Sequence, residues 1–272
     1  MSETRRIGTI EVDAERAAAD LAAVDPFGYL IAYDEFICGS WRTCMLWNGS
    51  GDGKDTQICG YDGAARMTAF GASVGYVQEL LEATFDLEDL RFARLTRLGP
   101  GTVAVPHRDF LELDSDLTRI HIPLETADAC YASEESTIYR MRLGDVWSLD
   151  ASRPHSIANF STGNRTHLLV DFATEPDCAV RPDGSDDSIP VDAIVPRRPL
   201  RPGEREAFAR LAEIADPTNM KDILSMLIRR YFVADMEVTD VFRWLSEIAA
   251  DSGDDEVLDQ ARRLEEHSLV AR

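Results

Sequence analysis

The sequence predicts a mainly β protein with a helical C-terminal region. Between residues 91 and 173, short stretches rich in β-forming residues alternate with turn signals such as Gly99-Pro100 and Gly144-Asp145. After a Pro- and Asp-rich stretch, the sequence beyond residue 202 has helical periodicity. Many closely spaced short strands are typical of a sandwich or barrel of the jelly-roll kind. We therefore predict a β-rich domain with N-terminal helices over 1–185 and a small helical domain over 202–272.

The elements of the β-rich part follow from local patterns. An Ala-rich helix is predicted over 14–24, and one or two strands over 33–48 end at the turn "NGSGDGKD". A second helix is predicted over 73–85, because apolar residues recur there at helical spacing. Further strands are predicted over 91–98, 102–106, 118–124, 136–142, 145–149 and 165–173.

The C-terminal part contains three helical segments. Ile223, Leu227 and Tyr231 fall on one stripe of the segment 216–235, the next segment ends at Gly253, and the last runs to the end of the sequence. These apolar stripes require a packing partner, which is either the β-rich domain or a second subunit. A homodimer is therefore one expectation.

Composition limits the possible partners. The 272 residues carry a formal net charge of −21, which argues against nucleic acid and anionic membranes because phosphate binding needs a basic surface. No window approaches the roughly 18 apolar residues of a membrane span. The N-terminal stretch lacks a signal-peptide pattern, and the five cysteines form no CxxC pair. These features predict a cytoplasmic protein with reduced thiols and a small-molecule ligand.

Polar residues interrupt a predicted strand in "GTVAVPHRDFLELD" (101–114). Residues i and i+2 of a strand share a face, so His107 and Asp109 would point to one place. HxD alone is a weak signal. His155 follows another strand-like stretch, and two histidines with one carboxylate form the facial triad of non-haem Fe(II) oxygenases. Arg165 opens the next predicted strand, where its guanidinium could hold a remote carboxylate through two hydrogen bonds.

Longer stretches resemble a known family. His107, Asp109, His155 and Arg165 match the motif of the Fe(II)/2-oxoglutarate-dependent dioxygenases, and the chain looks like the bacterial free-proline hydroxylases of the aspartyl/asparaginyl β-hydroxylase branch. The stretches that carry the resemblance are "YDEFICGSWRTCMLWNGSGD", "PHRDFLELD", "RIHIPLE", "GDVWSLDASRPHS" and "MKDILSMLIRRYF…VFRWLSEIAADSGD". Some of them look more like proline 3-hydroxylases, whereas "RIHIPLE" is nearer to the cis-4-hydroxylases.

The resemblance implies a double-stranded β-helix (jelly roll, cupin-like) in which Fe(II) is held by His107, Asp109 and His155. It further implies that 2-oxoglutarate is the cosubstrate, with its far carboxylate on Arg165, and that O2 is the oxidant. Because Asp109 is present, the halogenase variant of this chemistry, in which the carboxylate is lost, is excluded.

Substrate contacts are predicted on neighbouring strands. Arg119 and His121 share one face of the strand 118–124, and polar side chains pointing into a core are costly unless they bind something. Arg119 or Arg94 is the natural partner for a substrate carboxylate. His121 is a candidate for cosubstrate binding, and Trp47 could form a wall for an apolar ring.

These observations together predict an enzyme. We expect hydroxylation of a ring carbon of a free cyclic L-amino acid such as L-proline or L-pipecolic acid, with C3 preferred over C4, in natural product biosynthesis. Two alternatives stay open: a hydroxylase of a peptide- or carrier-bound amino acid, and a non-catalytic cupin-like metal or small-molecule sensor.

Overall fold

The computed structural model describes residues 4–25, 27–31, 37–109, 117–182 and 189–269. Twelve strands and six α-helices lie in these ranges. The strands are β1 (Arg5–Thr9), β2 (Ile37–Cys38), β3 (Trp41–Asn48), β4 (Arg66–Met67), β5 (Leu90–Leu98), β6 (Val103–Ala104), β7 (Thr118–Glu125), β8 (Cys130–Glu134), β9 (Thr137–Tyr139), β10 (Asp145–Leu149), β11 (His155–Asn159) and β12 (Arg165–Phe172). The helices are α1 (Ala14–Ala23), α2 (Gly75–Thr84), α3 (Glu204–Ala209), α4 (Met220–Val233), α5 (Val238–Ser252) and α6 (Asp255–Leu269).

The strands form two antiparallel sheets. The larger has the order β1-β10-β7-β12-β5-β3-β4, and the smaller has the order β2-β6-β11-β8-β9. Trp147 of the larger sheet packs against Ala132 and Tyr139 of the smaller one, so these side chains mark the faces that the two sheets turn towards each other. We call the space between these faces the cavity. This arrangement confirms the predicted fold class, a jelly-roll-like β core with a helical C-terminal region.

The opposite face of the larger sheet is covered by α1 and α2. Leu21 of α1 and Leu81 of α2 pack with Ile122 of β7 and Leu168 of β12 in one apolar cluster. Because side chains alternate along each strand, the neighbours of these residues on β7 and β12 must point into the cavity. The apolar outer face therefore fixes which polar residues line the site.

The C-terminal helices cover the outer face of the smaller sheet. Leu227 of α4 and Phe242 of α5 are fully buried in a cluster that includes Val103 of β6 and Ala158 of β11. No helix of the described ranges is long and apolar enough to span a bilayer. The helices thus support the strand that begins at His155.

The elements differ from the sequence prediction at five strands. β1, β4, β8 and β11 were not predicted, and the strand predicted over 136–142 is shortened to Thr137–Tyr139. The sequences RRIGT, CYASE and HSIAN lack the runs of β-branched and aromatic residues that mark a strand. They are strands because neighbouring strands pair with them, which local sequence does not record. Residues 32–36 of the strand region predicted over 33–48 lie outside the described residues.

Candidate active site

The backbone brings His107, Asp109 and His155 to one end of the cavity. His107 lies beyond β6, where it exchanges two backbone hydrogen bonds with His155 at 2.9 and 2.8 Å. The backbone N–H of Asp109 donates to Ala151 at 2.9 Å. The extended segment after Pro106 is therefore fixed to the start of β11, and the i, i+2 spacing of the sequence motif is preserved.

The three side chains converge on one point. Each offers a ligand atom, and these atoms all lie within 4.8 Å of one another. The Nε2 atoms of His107 and His155 lie 3.2 and 3.7 Å from Oδ1 of Asp109. Two imidazoles and one carboxylate in this arrangement can hold a divalent transition metal while leaving coordination positions open. In the described part of the chain, this is the group that meets the geometry of a metal site.

Hydrogen bonds set the orientation of both imidazoles. Nδ1 of His107 lies 2.7 Å from the carbonyl oxygen of Val105, and Nδ1 of His155 lies 3.0 Å from that of Arg153. These contacts assign the proton of each ring to Nδ1, because a carbonyl oxygen can only accept. The lone pair of each Nε2 then points towards Asp109, which is the usual arrangement of metal-binding histidines.

The electrostatic environment keeps His155 and Asp109 in the protonation states of metal ligands. Burial and the nearby His107 lower the pKa of His155 to about 4, so its imidazole is neutral at neutral pH. Burial alone would raise the pKa of Asp109. The charge of Arg119 outweighs that effect and holds the pKa of this carboxyl well below its usual range.

Charged and polar side chains line the wall of the cavity that the larger sheet forms. Strand register places His121 of β7 opposite Leu169 of β12, and Leu169 opposite Arg94 of β5. Two residues further along β12, Asp171 lies opposite Arg119 of β7. The remaining polar residues on this face of β12 are Arg165 and His167. The structure therefore brings Arg94, Arg119, His121 and Arg165 to one wall of one cavity, although the sequence separates them by up to 71 residues.

Arg165 is buried without a counter-ion. Its exposed fraction is 2%, and no ion pair joins it to a carboxylate within the described ranges. Burial lowers the pKa of its guanidinium to about 10, so it stays protonated at neutral pH. His167 and Thr96 lie on the same sheet as Arg165, and Tyr139 lies on the facing sheet. Both ring nitrogens of His167 and the hydroxyls of Thr96 and Tyr139 are buried, and none has a hydrogen-bond partner among the described residues. Such a group of unsatisfied polar atoms around a cation requires an anionic, hydrogen-bonding occupant.

Arg119 and Arg94 meet at Asp171. Arg119 donates from Nε to Oδ1 of Asp171 at 2.7 Å, and its Nη1 donates to Oδ2 of Asp109. Nη2 of Arg94 lies 3.6 Å from Oδ2 of Asp171, and the other terminal nitrogen of Arg94, Nη1, is buried and without a hydrogen-bond partner among the described residues. The two arginines predicted as alternatives for one role thus have different surroundings.

His121 lies two residues from Arg119 on the same face of β7, within the polar wall. Burial and the charges of Arg165 and Arg119 hold its pKa well below the usual value, so the ring is neutral. Both of its ring nitrogens are buried and have no hydrogen-bond partner in the part of the chain that the structure describes. A neutral imidazole in this position can donate one hydrogen bond to an occupant of the cavity and accept another.

The structure places Trp47 outside the cavity, which corrects the expectation that it forms a wall of the site. Met45 lies opposite Arg94, whereas Trp47 lies opposite Ala93, because the pairing of β3 and β5 is irregular between these two residues. A bulge reverses the side-chain alternation. Trp47 therefore packs in the apolar cluster beneath α2.

The sequence prediction missed Asp171. The signal was present in "RTHLLVDF", because Asp171 is six residues after Arg165 and an even spacing places both on the same face of a strand. Tyr139 was also missed as a site residue, although it lies within the strand predicted over 136–142.

Comparison with known proteins gives family matches along the chain. A family model described as aspartyl/asparaginyl beta-hydroxylase matches residues 5–175. A second, described as L-proline 3-hydroxylase, C-terminal, matches residues 176–272. The first match contains His107, Asp109 and His155 and the whole polar wall.

Curated relatives are similar over nearly their full length. The chain is 32% identical to an L-proline cis-4-hydroxylase of Rhizobium meliloti over 99% of this chain and 96% of that one. It is 33% identical to L-proline cis-3-hydroxylase 2 of a Streptomyces species over 98% of this chain and 94% of the relative. A solved Pseudomonas putida prolyl-4-hydroxylase shares 14% identity, with a TM-score of 0.37 over 64% of this chain and 92% of its own, which is too distant to bear on function.

Proposed function

Because the chain belongs to the aspartyl/asparaginyl β-hydroxylase family, we propose that it hydroxylates a ring carbon of a free cyclic L-amino acid, with Fe(II), 2-oxoglutarate and O2. The membership confirms the resemblance inferred from the sequence and the prediction of an enzyme of the dioxygenase class. It also excludes the non-catalytic sensor as the main alternative. L-Proline is the first substrate that we propose, and L-pipecolic acid is the next larger ring.

One observation carries the proposal. The cavity that holds the three metal-ligand atoms also holds two buried guanidinium groups. Arg165 pairs with no carboxylate of the described residues, and Nη1 of Arg94 has no hydrogen-bond partner among them. Each is suited to one carboxylate. A 2-oxoglutarate-dependent amino acid hydroxylase must bind two small carboxylic acids beside its metal.

The Fe(II) would be held by His107, Asp109 and His155. When bound, it supplies the activation of O2, which is coupled to the oxidative decarboxylation of 2-oxoglutarate to succinate. Arg165 would bind the far carboxylate of 2-oxoglutarate, and the neutral His121 would donate a hydrogen bond to the cosubstrate. The unsatisfied nitrogens of His121 support this role, because a carboxylate or keto oxygen would satisfy one of them.

Arg94 would bind the α-carboxylate of the amino acid. This contact favours a free amino acid over a peptide- or carrier-bound one, since the carboxylate of a bound residue has become an amide or thioester and carries no charge. The guanidinium would then place the ring over the metal, and the exclusion of water by the apolar Trp147 and Leu169 would strengthen the contact.

The preference for C3 over C4 is supported by the match of residues 176–272 to the C-terminal region of L-proline 3-hydroxylases. Two of the relatives are cis-3-hydroxylases and one is a cis-4-hydroxylase, at nearly equal identity. Regiochemistry depends on which C–H lies nearest the metal, where about 1 Å is decisive.

The test is a product analysis. Purified enzyme with Fe(II), ascorbate, 2-oxoglutarate and O2 is supplied with L-proline, L-pipecolic acid, prolinamide or a prolyl peptide, and the products are identified by mass spectrometry and NMR. We expect 3-hydroxyproline with an equal amount of succinate, and no product from prolinamide. Turnover of the peptide but not of free proline would overturn the proposal. His107→Ala serves as the inactive control.

A further inference from the structure

We propose that Asp171 is a positioning residue that assigns the two neighbouring arginines to different tasks. It holds Arg119 against the metal ligand Asp109, and it turns one N–H of Arg94 towards the amino acid substrate. The substrate half of this inference rests on the function proposed above, whereas the metal half does not depend on the identity of the substrate.

The first step concerns Arg119. Asp171 is fully buried and accepts from Nε of Arg119 at 2.7 Å and from Nη2 at 3.5 Å. These two contacts fix one edge of the planar guanidinium, so the position of the remaining nitrogen, Nη1, is determined. Nη1 donates to Oδ2 of Asp109. Asp171 therefore sets the direction from which Arg119 approaches the metal ligand.

The second step concerns the two oxygens of Asp109. Oδ1 is the oxygen that faces Nε2 of His107 and Nε2 of His155, at 3.2 and 3.7 Å. Oδ2 is occupied by Arg119. A metal held by this triad would therefore receive one oxygen from Asp109 rather than two, and the position that a second oxygen would take stays open for cosubstrate or O2.

The third step concerns Arg94. Its Nη2 is 3.6 Å from Oδ2 of Asp171, and its Nη1 is buried with no partner among the described residues. Asp171 compensates part of the charge of Arg94, but Nη1 of Arg94 does not donate to Asp171. An unsatisfied buried donor is costly, and a substrate carboxylate would remove that cost.

A purely structural role makes a different prediction from positioning. If Asp171 only neutralises two buried cations, Asp171→Glu keeps that charge and leaves metal and substrate affinity unchanged. If Asp171 positions both arginines, the extra methylene of Asp171→Glu moves the carboxylate and impairs both. Asp145→Asn is the matched control, because Asp145 is a buried carboxylate of the same barrel that bonds to Trp147 and to the backbone of Arg142.

The first arm measures metal binding without turnover. Co(II) is titrated anaerobically into the wild type, Asp171→Glu, Asp171→Asn, Arg119→Lys and Asp145→Asn, and the visible absorption of the bound ion is recorded. We expect the Asp171 and Arg119 variants to bind Co(II) about 10- to 100-fold more weakly, with a changed spectrum, and Asp145→Asn to match the wild type. Unchanged Co(II) affinity and spectrum in Asp171→Glu would overturn the metal half.

The second arm measures steady-state kinetics with L-proline. We expect Arg94→Lys to raise the KM for proline about tenfold or more at unchanged Co(II) affinity, and Asp171→Glu to raise this KM as well and to release succinate in excess of hydroxyproline. A normal KM in Asp171→Glu would overturn the substrate half.

Thermal unfolding of every variant accompanies both arms. Should Asp171→Asn fail to fold, Asp171→Glu together with Arg119→Lys decides the metal half. If the wild type does not hydroxylate proline, the proposed function fails while the Co(II) arm still tests the positioning role. If the wild type hydroxylates proline and the Co(II) arm gives no change, only the present inference fails.

Discussion

The charges of single residues explain which ligands the cavity is suited to bind. The guanidiniums of Arg94, Arg119 and Arg165 face two carboxylates, Asp109 and Asp171, in a protein whose overall charge is −21. His121 and His155 add no charge, because burial and the neighbouring cations keep them neutral. A bound divalent metal would increase the local excess of positive charge. The site is therefore complementary to small anions even though the surface is acidic.

Arg165 gives the sharpest test of this balance. Replacing it by Met removes a buried cation that has no counter-ion among the described residues, so we expect the protein without ligands to become more stable by about 1–3 kcal/mol. The same variant should lose 2-oxoglutarate binding, whereas its Co(II) affinity should be unchanged. Urea unfolding and calorimetric titration measure the two effects. A loss of stability in Arg165→Met would mean that the guanidinium is satisfied within the folded chain.

Neutral buried histidines also predict a pH dependence of stability. The pKa of His155 is lowered to about 4, and those of His121 and His167 are lowered well below the usual value. The unfolded chain therefore binds more protons than the folded one below about pH 6.5. Stability of the metal-free protein should be fully present above that pH and fall by about 1.4 kcal/mol per pH unit for each such histidine as the pH drops towards 4.

Urea unfolding at intervals between pH 7.5 and 4 measures this slope. His167→Asn should reduce it relative to the wild type, because one of the three titrating groups is then missing. A pH-independent free energy of unfolding over this range would contradict the assignment of these histidines as buried and neutral.

At the scale of elements, the C-terminal helices support the sheet that carries His155 of the candidate metal site. Arg197 donates to the carbonyl oxygens of Tyr231, Ala234 and Met236 at the end of α4, and to that of Ser136 before β9. α4 packs on β6, and β11 shares its apolar cluster. The end of the helix is thereby joined to the sheet that carries His155.

Arg197→Met should therefore destabilise the protein by about 2–4 kcal/mol, because the carbonyls at the end of α4 lose a charged donor. Arg205→Met is the control, since Arg205 forms an exposed pair with Glu247 on the same helical region. Chemical unfolding measures the free energy of both variants. Equal stability of the two would show that the four hydrogen bonds of Arg197 to backbone carbonyls are replaced by water at no net cost.

Some elements of the site could be predicted from the sequence and others could not. The pairing of His107 with Asp109 follows from strand periodicity, because i, i+2 spacing places side chains on one face whatever the partner strand is. Arg165 follows from its position at the start of the strand after His155. Trp47 was assigned to the wrong face because its bulge arises from the pairing of β3 with β5. The contact of Arg119 with Asp171 depends on the register between β7 and β12, which no local pattern encodes.

The molecule as a whole should gain stability from its ligands in a defined order. The cavity holds three guanidinium groups and two carboxylates, so anionic ligands that bind only the folded state should raise the melting temperature. We expect Co(II) to raise it first, 2-oxoglutarate to raise it further through Arg165, and L-proline to add a third increment through Arg94. A ligand at about 100 times its Kd contributes about 2.7 kcal/mol.

Prolinamide is the matched control in this series, because it has the ring and the amine of proline but no carboxylate. With Co(II) and 2-oxoglutarate present, it should leave the melting temperature unchanged, whereas L-proline raises it in the wild type and not in Arg94→Gln. If prolinamide stabilises the enzyme as much as proline does, the α-carboxylate is not recognised in the cavity, and the unsatisfied N–H of Arg94 has another function. An increment from proline that persists in Arg94→Gln would instead assign the carboxylate to a different group of the same wall.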